Sequence, residues 1–124
     1  MQRKFRLTRS EDFKRVRRSG KSYAHPLVVL IVQRHDQRSG AEGAIDHPRM
    51  KIGVAAGRTV GTAVHRNRAK RLLREAMRSL LPRLISNLDL ILIARPGLVT
   101  ATLEETRQAL LTLLQRAEIL QNES

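Results

Sequence analysis

No cysteine occurs anywhere in the chain, which excludes a disulfide framework, a thiolate nucleophile and a cysteine-rich zinc site, and fits a reducing compartment. Tryptophan is absent as well, and the aromatic residues number three, Phe5, Phe13 and Tyr23, too few for base stacking to carry a nucleic-acid interface. Long apolar runs are missing: Leu27–Val32 and the shorter Leu90–Ala94 fall far below the roughly 20 residues that a membrane-spanning helix requires. The start, Met1-Gln-Arg-Lys-Phe5, is basic but leads into Thr8-Arg-Ser-Glu-Asp12 rather than an apolar stretch. It does not read as a secretory signal, and a soluble, cytoplasmic protein is expected. At 124 residues the chain is expected to form one domain, 1–124, with a single core that needs no metal to hold it.

Acidic residues are also scarce, 11 against 24 Lys and Arg, so the formal charge is +13. A charge so far from zero in a small domain implies an anionic partner of high charge density, nucleic acid first and an acidic membrane second. Two segments hold all of it. Residues 1–21 sum to +7 and residues 58–78 to +6, while the rest balances at eight basic and eight acidic residues. Either two cationic surfaces are present or both segments build one.

The segment Ser10-Glu-Asp-Phe-Lys-Arg-Val-Arg-Arg-Ser-Gly20 begins with a capping serine and two acids and ends on basic residues and glycine, the charge order of a short helix. Phe13 and Val16 share its apolar stripe. Ser22 to Gln33 reads as a strand covered on both faces, with room for it to bend or break into two. His35 to Pro48 is rich in Gly, Asp and Ser and reads as a long, mobile hairpin loop, placing the strand Met50–Ala56 antiparallel to the first. Mobility is expected at 1–8 and 121–124 as well.

Thr62 is placed to cap a helix over 63–80, in which Val64, Ala69, Leu72, Leu73, Ala76, Met77 and Leu80 form the apolar side and Asn67, Arg71, Arg74 and Arg78 line up elsewhere. A strand at Leu88–Ala94 and a last helix from the Thr102 cap to about Leu120, with Leu103, Leu110, Leu111, Leu113 and Leu114 as its apolar set, complete the order. Helix, strand, strand (or two), helix, strand, helix around one small mixed sheet predicts an α+β, two-layer sandwich.

The informative stretch is Arg58-Thr-Val-Gly-Thr-Ala-Val-His-Arg-Asn-Arg-Ala-Lys-Arg-Leu-Leu-Arg-Glu75. Arginine forks pair with phosphate oxygens two at a time, asparagine can bond a base edge or a sugar hydroxyl, and a helix spaces them along a groove. A basic amphipathic helix can instead lie on an acidic membrane or dock into a partner protein. The membrane alternative conflicts with the apolar face, which the core needs and which carries no aromatics. His25, His35, His47 and His65 are scattered, and no Asp or Glu cluster has two-metal nuclease spacing, so no protein-based active site is expected.

This stretch, with Lys51-Ile-Gly-Val54 before it, resembles the signature of the bacterial ribonuclease P protein family, whose hallmark is an Arg-Asn-Arg helix followed by Lys-Arg. The similarity extends upstream over Leu7–Gly20 and downstream over Asp89–Arg95 and the closing leucine-rich helix. The resemblance implies a fold similar to a domain of ribosomal proteins and translation factors, with the Arg-Asn-Arg helix in an unusual left-handed crossover. It implies a protein that binds a catalytic RNA and the 5′ leader of precursor tRNA, with magnesium held by the RNA and no cofactor in the protein itself. Neither a membrane nor an obligatory protein partner is implied. Carried over by position, Arg66, Asn67, Arg68, Lys70, Arg71 and Arg74 contact the RNA subunit, with Arg58 at a family lysine position. Phe13 falls in the cleft where the leader passes, and its other reading is ordinary core packing.

The chain departs from the family pattern at Arg17 and Ile31, where aromatics are frequent, and at Thr59, where a second lysine is. Charge from Arg17, Arg18 and Lys21 is therefore expected to dominate leader affinity. A structured-RNA-binding, ribosome-associated protein without a processing role shares the basic helix and the fold. A DNA-binding reading of the same helix fits less well, because strands rather than a first helix precede it.

Overall fold

The structure, a computed structural model, describes residues 10–34, 50–85 and 87–121. Its elements are α1 (Ser10–Ser19), β1 (Lys21–Ala24), β2 (Val28–Arg34), β3 (Met50–Ala56), α2 (Ala63–Arg78), β4 (Leu88–Ala94) and α3 (Leu103–Arg116), with 3-10 turns at Arg58–Val60, Leu81–Arg83 and Pro96–Thr100. The long first strand does break, at His25-Pro26-Leu27. Pro26 has no N–H to give a ladder, and the turn closes through His25 N–H to the Val28 carbonyl at 3.0 Å and Leu27 N–H to His25 Nδ1 at 3.1 Å.

The sheet order is β1-β2-β4-β3, with β2 antiparallel to β1 and β4, and β3 parallel to β4. This corrects the expected hairpin: β2 and β3 run in opposite directions but are not neighbours, because β4 lies between them. The reason is burial. Leu88 through Leu92 are all inaccessible, and a strand covered on both faces belongs at the centre, whereas β3 is half-exposed along most of its length. The parallel β3–β4 pair then requires a crossover, which α2 supplies. The expected mobility of 35–49 and of 1–8 falls on residues outside those described. Gln121, expected in the mobile C-terminus, is held by its N–H on the Arg83 carbonyl and its side-chain amide on the Leu84 carbonyl.

Strand alternation sorts the two faces. Val28, Leu30, Val32, Ile52, Leu88, Leu90 and Leu92 face α2 and α3 in the main core, joined by Leu73, Met77, Leu110, Leu113 and Leu114. Ile31 and Ile91 face the other way, toward Val16 of α1, in a much smaller cluster. Each fully buried side chain of this kind contributes roughly 1.5–3 kcal/mol. The core under α2 and α3 therefore dominates stability, and α1 is held by little apolar area.

Two helix details differ from the sequence reading. Val64 does not join the apolar side of α2; it is 75 % exposed, about 100° per residue having carried it to the far side from Leu73 and Ala76. Helix α3 stops at Arg116, not near Leu120. Glu118 adopts φ 58°, its N–H bonds the Gln115 carbonyl at 3.1 Å and Ile119 N–H bonds the Leu114 carbonyl at 3.3 Å, a Schellman closure that buries Ile119. Leu120 pairs instead with Leu84.

Candidate nucleic-acid interface

Between β3 and α2 the chain turns through Arg58–Val60 and Gly61, whose φ of 135° is open to glycine and strained for other residues. Thr62 then caps α2, its hydroxyl accepting from His65 N–H at 3.4 Å. Ala69, Leu73, Ala76 and Met77 are buried, and this anchors the rotation of the helix. The six cations of α2 consequently separate into two rows. Arg68, Arg71 and Arg78 stand exposed on the crest beside Asn67, while Arg66, Lys70 and Arg74 follow an i, i+4, i+8 line on a half-buried flank. The sequence reading had aligned Arg74 with the crest. The Nε atoms of Arg66 and Arg74 are closed off from solvent, so their stems lie along the protein surface.

Helix α2 has no acidic residue in its first turn. Arg66 stands one turn in, against the partial positive charge of the helix N-terminus, and like charges three or four residues apart repel. Glu75 offers the crest little relief, its ion pair with Arg78 stretching to 3.9 Å between exposed groups. A polyanion lying on the crest removes both penalties at once.

A second surface lies on the opposite face of the sheet. Helix α1 crosses the strands along one register row, Gly53–Ile91–Ile31, with the Phe13 ring so close over Gly53 that any β-carbon there would run into it. On one side of α1 is a polar row, Lys51–Asp89–Gln33, and on the other an apolar one, Ala55–Ile93–Val29–Ala24. Arg15 closes the polar side. One of its Nη2 protons goes to the fully buried Asp89 at 2.7 Å and Nη2 also lies 3.3 Å from Asp12, while Nη1 donates to Gln33. The Asp89 hydrogen bond, more than anything else, raises the Arg15 pKa above its ordinary value, so the guanidinium stays charged.

Helical spacing puts Arg17 on the flank of Phe13 away from Arg15, above the half-exposed apolar row. Arg95 directly follows Ala94, and Arg58 comes two residues after Ala56, its register neighbour, so both stand at the end of the sheet where this row opens. Arg95 also reaches the His25 carbonyl at 3.5 Å. The result is a shallow groove with a small apolar floor, an aromatic edge and cations along its rim.

All seven positions assigned to the RNA subunit thus lie on one continuous element, from Arg58 through α2. Of the four assigned to the leader, Phe13 and Arg17 meet at the groove. Arg18 turns away from the sheet, and Lys21 pairs in register with Val32, a residue of the opposite face, where its ammonium sits 5.6 Å from the Tyr23 ring. Sequence reasoning passed over Arg15, Asp89 and Arg95. The available signal was Asp89 itself, a lone carboxylate inside an apolar strand, which needs a partner from elsewhere in the chain. Among the described residues no three His, Asp or Glu side chains converge as a metal cage, and no helix is long and apolar enough to cross a membrane.

The profile of the Ribonuclease P family matches residues 1–118. A ribonuclease P protein component from Herpetosiphon aurantiacus is 40% identical over 119 residues, covering 96% of this chain and 89% of that one. One from Chloroflexus aurantiacus is 36% identical over 121 residues, covering 97% and 82%. The solved RNase P protein of Staphylococcus aureus superimposes with a TM-score of 0.75 at 26% identity over 94% of this chain and 98% of that one. That of Thermotoga maritima gives 0.72 at 25% identity over 90% and 96%. A basic α2 carrying the Arg-Asn-Arg sequence, an α1 groove, and full-length similarity in sequence and fold converge: the chain belongs to the ribonuclease P protein family.

Proposed function

We propose that this chain, as the protein subunit of ribonuclease P in tRNA 5′ processing, uses its two surfaces for two RNAs. The α2 crest and flank, with Arg58, bind the RNA subunit, and the α1 groove takes the single-stranded leader of precursor tRNA. The observation that carries this reading is the six-cation helix α2, with no acid in its first turn and Glu75 as its one carboxylate, a surface suited to a polyanion. The groove suits a single strand: bases lie on the apolar row beside Phe13, and phosphates face Arg17 and Arg95. Asp12 and Asp89 make the other side of α1 unfavourable to phosphate.

The catalytic centre belongs to the RNA on this reading, together with its magnesium, and the protein supplies binding and position. Work in the cytoplasm, where precursor tRNA is made, follows. The test is cleavage of a precursor tRNA by a bacterial ribonuclease P RNA at magnesium too low for the RNA alone, with and without this protein. Restored cleavage at the mature 5′ end is the expected result. RNA binding without restored cleavage, repeated with RNA from the same organism, would move the chain to the ribosome-associated alternative.

A further inference from the structure

Arg15 is the one cation of α1 drawn into the protein. It reaches a carboxylate on the central strand that is fully buried, and it binds Gln33 on β2 and Asp12 on its own helix at the same time. A buried ion pair of this kind is no economical way to add stability, since apolar replacements of similar volume often do as well or better. Its position gives it another use. The apolar contacts of α1 centre on one register row, Phe13 over Gly53 and Val16 with Ile31 and Ile91, and Val29 and Ile93 of the next row pack against the same cluster. A helix seated on one row can roll about that row. Arg15 is bonded to the next row, Asp89 and Gln33, and so resists the roll from one flank only. Past Phe13, on the opposite flank, Arg17 overhangs the groove.

We infer that the Arg15–Asp89 pair is a positioning device for the leader groove: it sets the roll of α1 over the sheet and thereby the height of Phe13 and Arg17 above the apolar row. Arg15 need not touch RNA to do this. The fork of the guanidinium is required, because two acceptors on different strands must be reached together, and a lysine ammonium offers no such rigid geometry.

This inference rests on the leader reading of the groove, and the experiment separates the two. Holoenzyme reconstituted with a bacterial ribonuclease P RNA is assayed on two precursor tRNAs, one with a leader of about ten nucleotides, enough to run the length of a single-strand site, and one with a single-nucleotide leader. Arg15→Gln combined with Asp89→Asn removes both charges and leaves no fully buried carboxylate stranded, Asp12 being partly exposed. The double variant is expected to raise KM for the long leader by roughly threefold to tenfold, less than the roughly hundredfold that a misplacement of about 1 Å can cost, with kcat, RNA-subunit affinity and the short-leader KM unchanged. Arg15→Lys gives the same split in smaller size, and decides the matter if the double variant fails to fold. Equal losses on both substrates would make the pair a plain stabiliser and overturn the inference. So would intact leader discrimination in these variants beside its loss in Phe13→Ala. If Phe13→Ala itself keeps discrimination, the groove reading falls and this inference with it.

Discussion

Helices α2 and α3 pack side by side on one face of the same sheet, yet their surfaces follow opposite rules. Helix α3 is built as an isolated helix would need to be. Thr102 and Glu105 form a reciprocal capping box at 3.0 and 2.8 Å, Glu104 and Glu105 face the N-terminal partial charge, Glu104 takes a 2.6 Å bond from Arg107 one turn on, and Arg116 sits in the last turn. Helix α2 has one long capping bond, no acid in its first turn, and cations along both exposed sides. Both bury a sufficient stripe. What differs is the outer surface: local stability accounts for the residues of α3, whereas α2 gives its first turn no acid and its outer face six cations.

The largest effect that could break this contrast is on RNA affinity. Replacing Arg68 and Arg71 by alanine is expected to weaken binding of the RNA subunit by about 1.5–3 kcal/mol for each charge-assisted contact removed. The log-log salt slope should become shallower by about 0.7–0.9 per phosphate released. Arg107→Ala on α3 should leave both unchanged. Titrations of labelled RNA at several salt concentrations measure all three, and unaltered affinity in the α2 variants would take the helix out of the interface.

Salt acts on the intact protein in the same sense. If the six cations of α2 each neutralise a phosphate, affinity should fall by about a thousandfold between roughly 50 and 200 mM salt. A weak dependence would remove the electrostatic difference between the two helices.

How much of this was legible beforehand follows from the range of each interaction. Helix α2 and its Thr62 cap were readable because capping, periodicity and charge are all set within a few residues. The break between β1 and β2 was announced by Pro26. The position of β4 between β2 and β3 was not, since strand order depends on which strand can be buried on both faces, a comparison across some sixty residues of chain. Val64 was misassigned because a valine beside an apolar series reads as part of it, while the angle of the helix on the sheet is set by Leu73 and Met77. Within the site, the α2 positions were visible as a motif. The groove was visible only as Phe13 and Arg17, because its floor comes from three strands and its polar counterpart joins Arg15 to Asp89 over 74 positions.

Smaller effects sharpen the contrast in both directions. His65→Glu would give Thr62 the reciprocal partner that Thr102 has in Glu105, and set an acid in the first turn of α2. The free protein should gain about 0.5–1 kcal/mol, while RNA affinity falls through repulsion of the nearby backbone. Opposite signs in thermal unfolding and in RNA binding are the expected signature. A gain in both would mean that α2 is poorly compensated for no functional reason.

The finest comparison lies in the caps themselves. Thr102→Ala removes a 3.0 Å bond and frees the Glu105 bond that returns to the cap, and should destabilise the protein by about 1 kcal/mol with no change in RNA affinity. Thr62→Ala removes a long 3.4 Å capping bond, and a 3.3 Å contact of the same hydroxyl with His65 Nδ1, from a helix whose remaining first-turn donors have no acid to donate to, and about half that loss is expected. Thermal unfolding of the two variants resolves the difference. With RNA subunit bound, the Thr62 loss should shrink further, because phosphates at the N-terminal end of α2 would then accept from the donors that the hydroxyl leaves open. If Thr62→Ala is as damaging as Thr102→Ala, and bound RNA does not lessen it, then α2 holds its first turn as firmly as α3 does, and the cationic surface alone distinguishes the two helices.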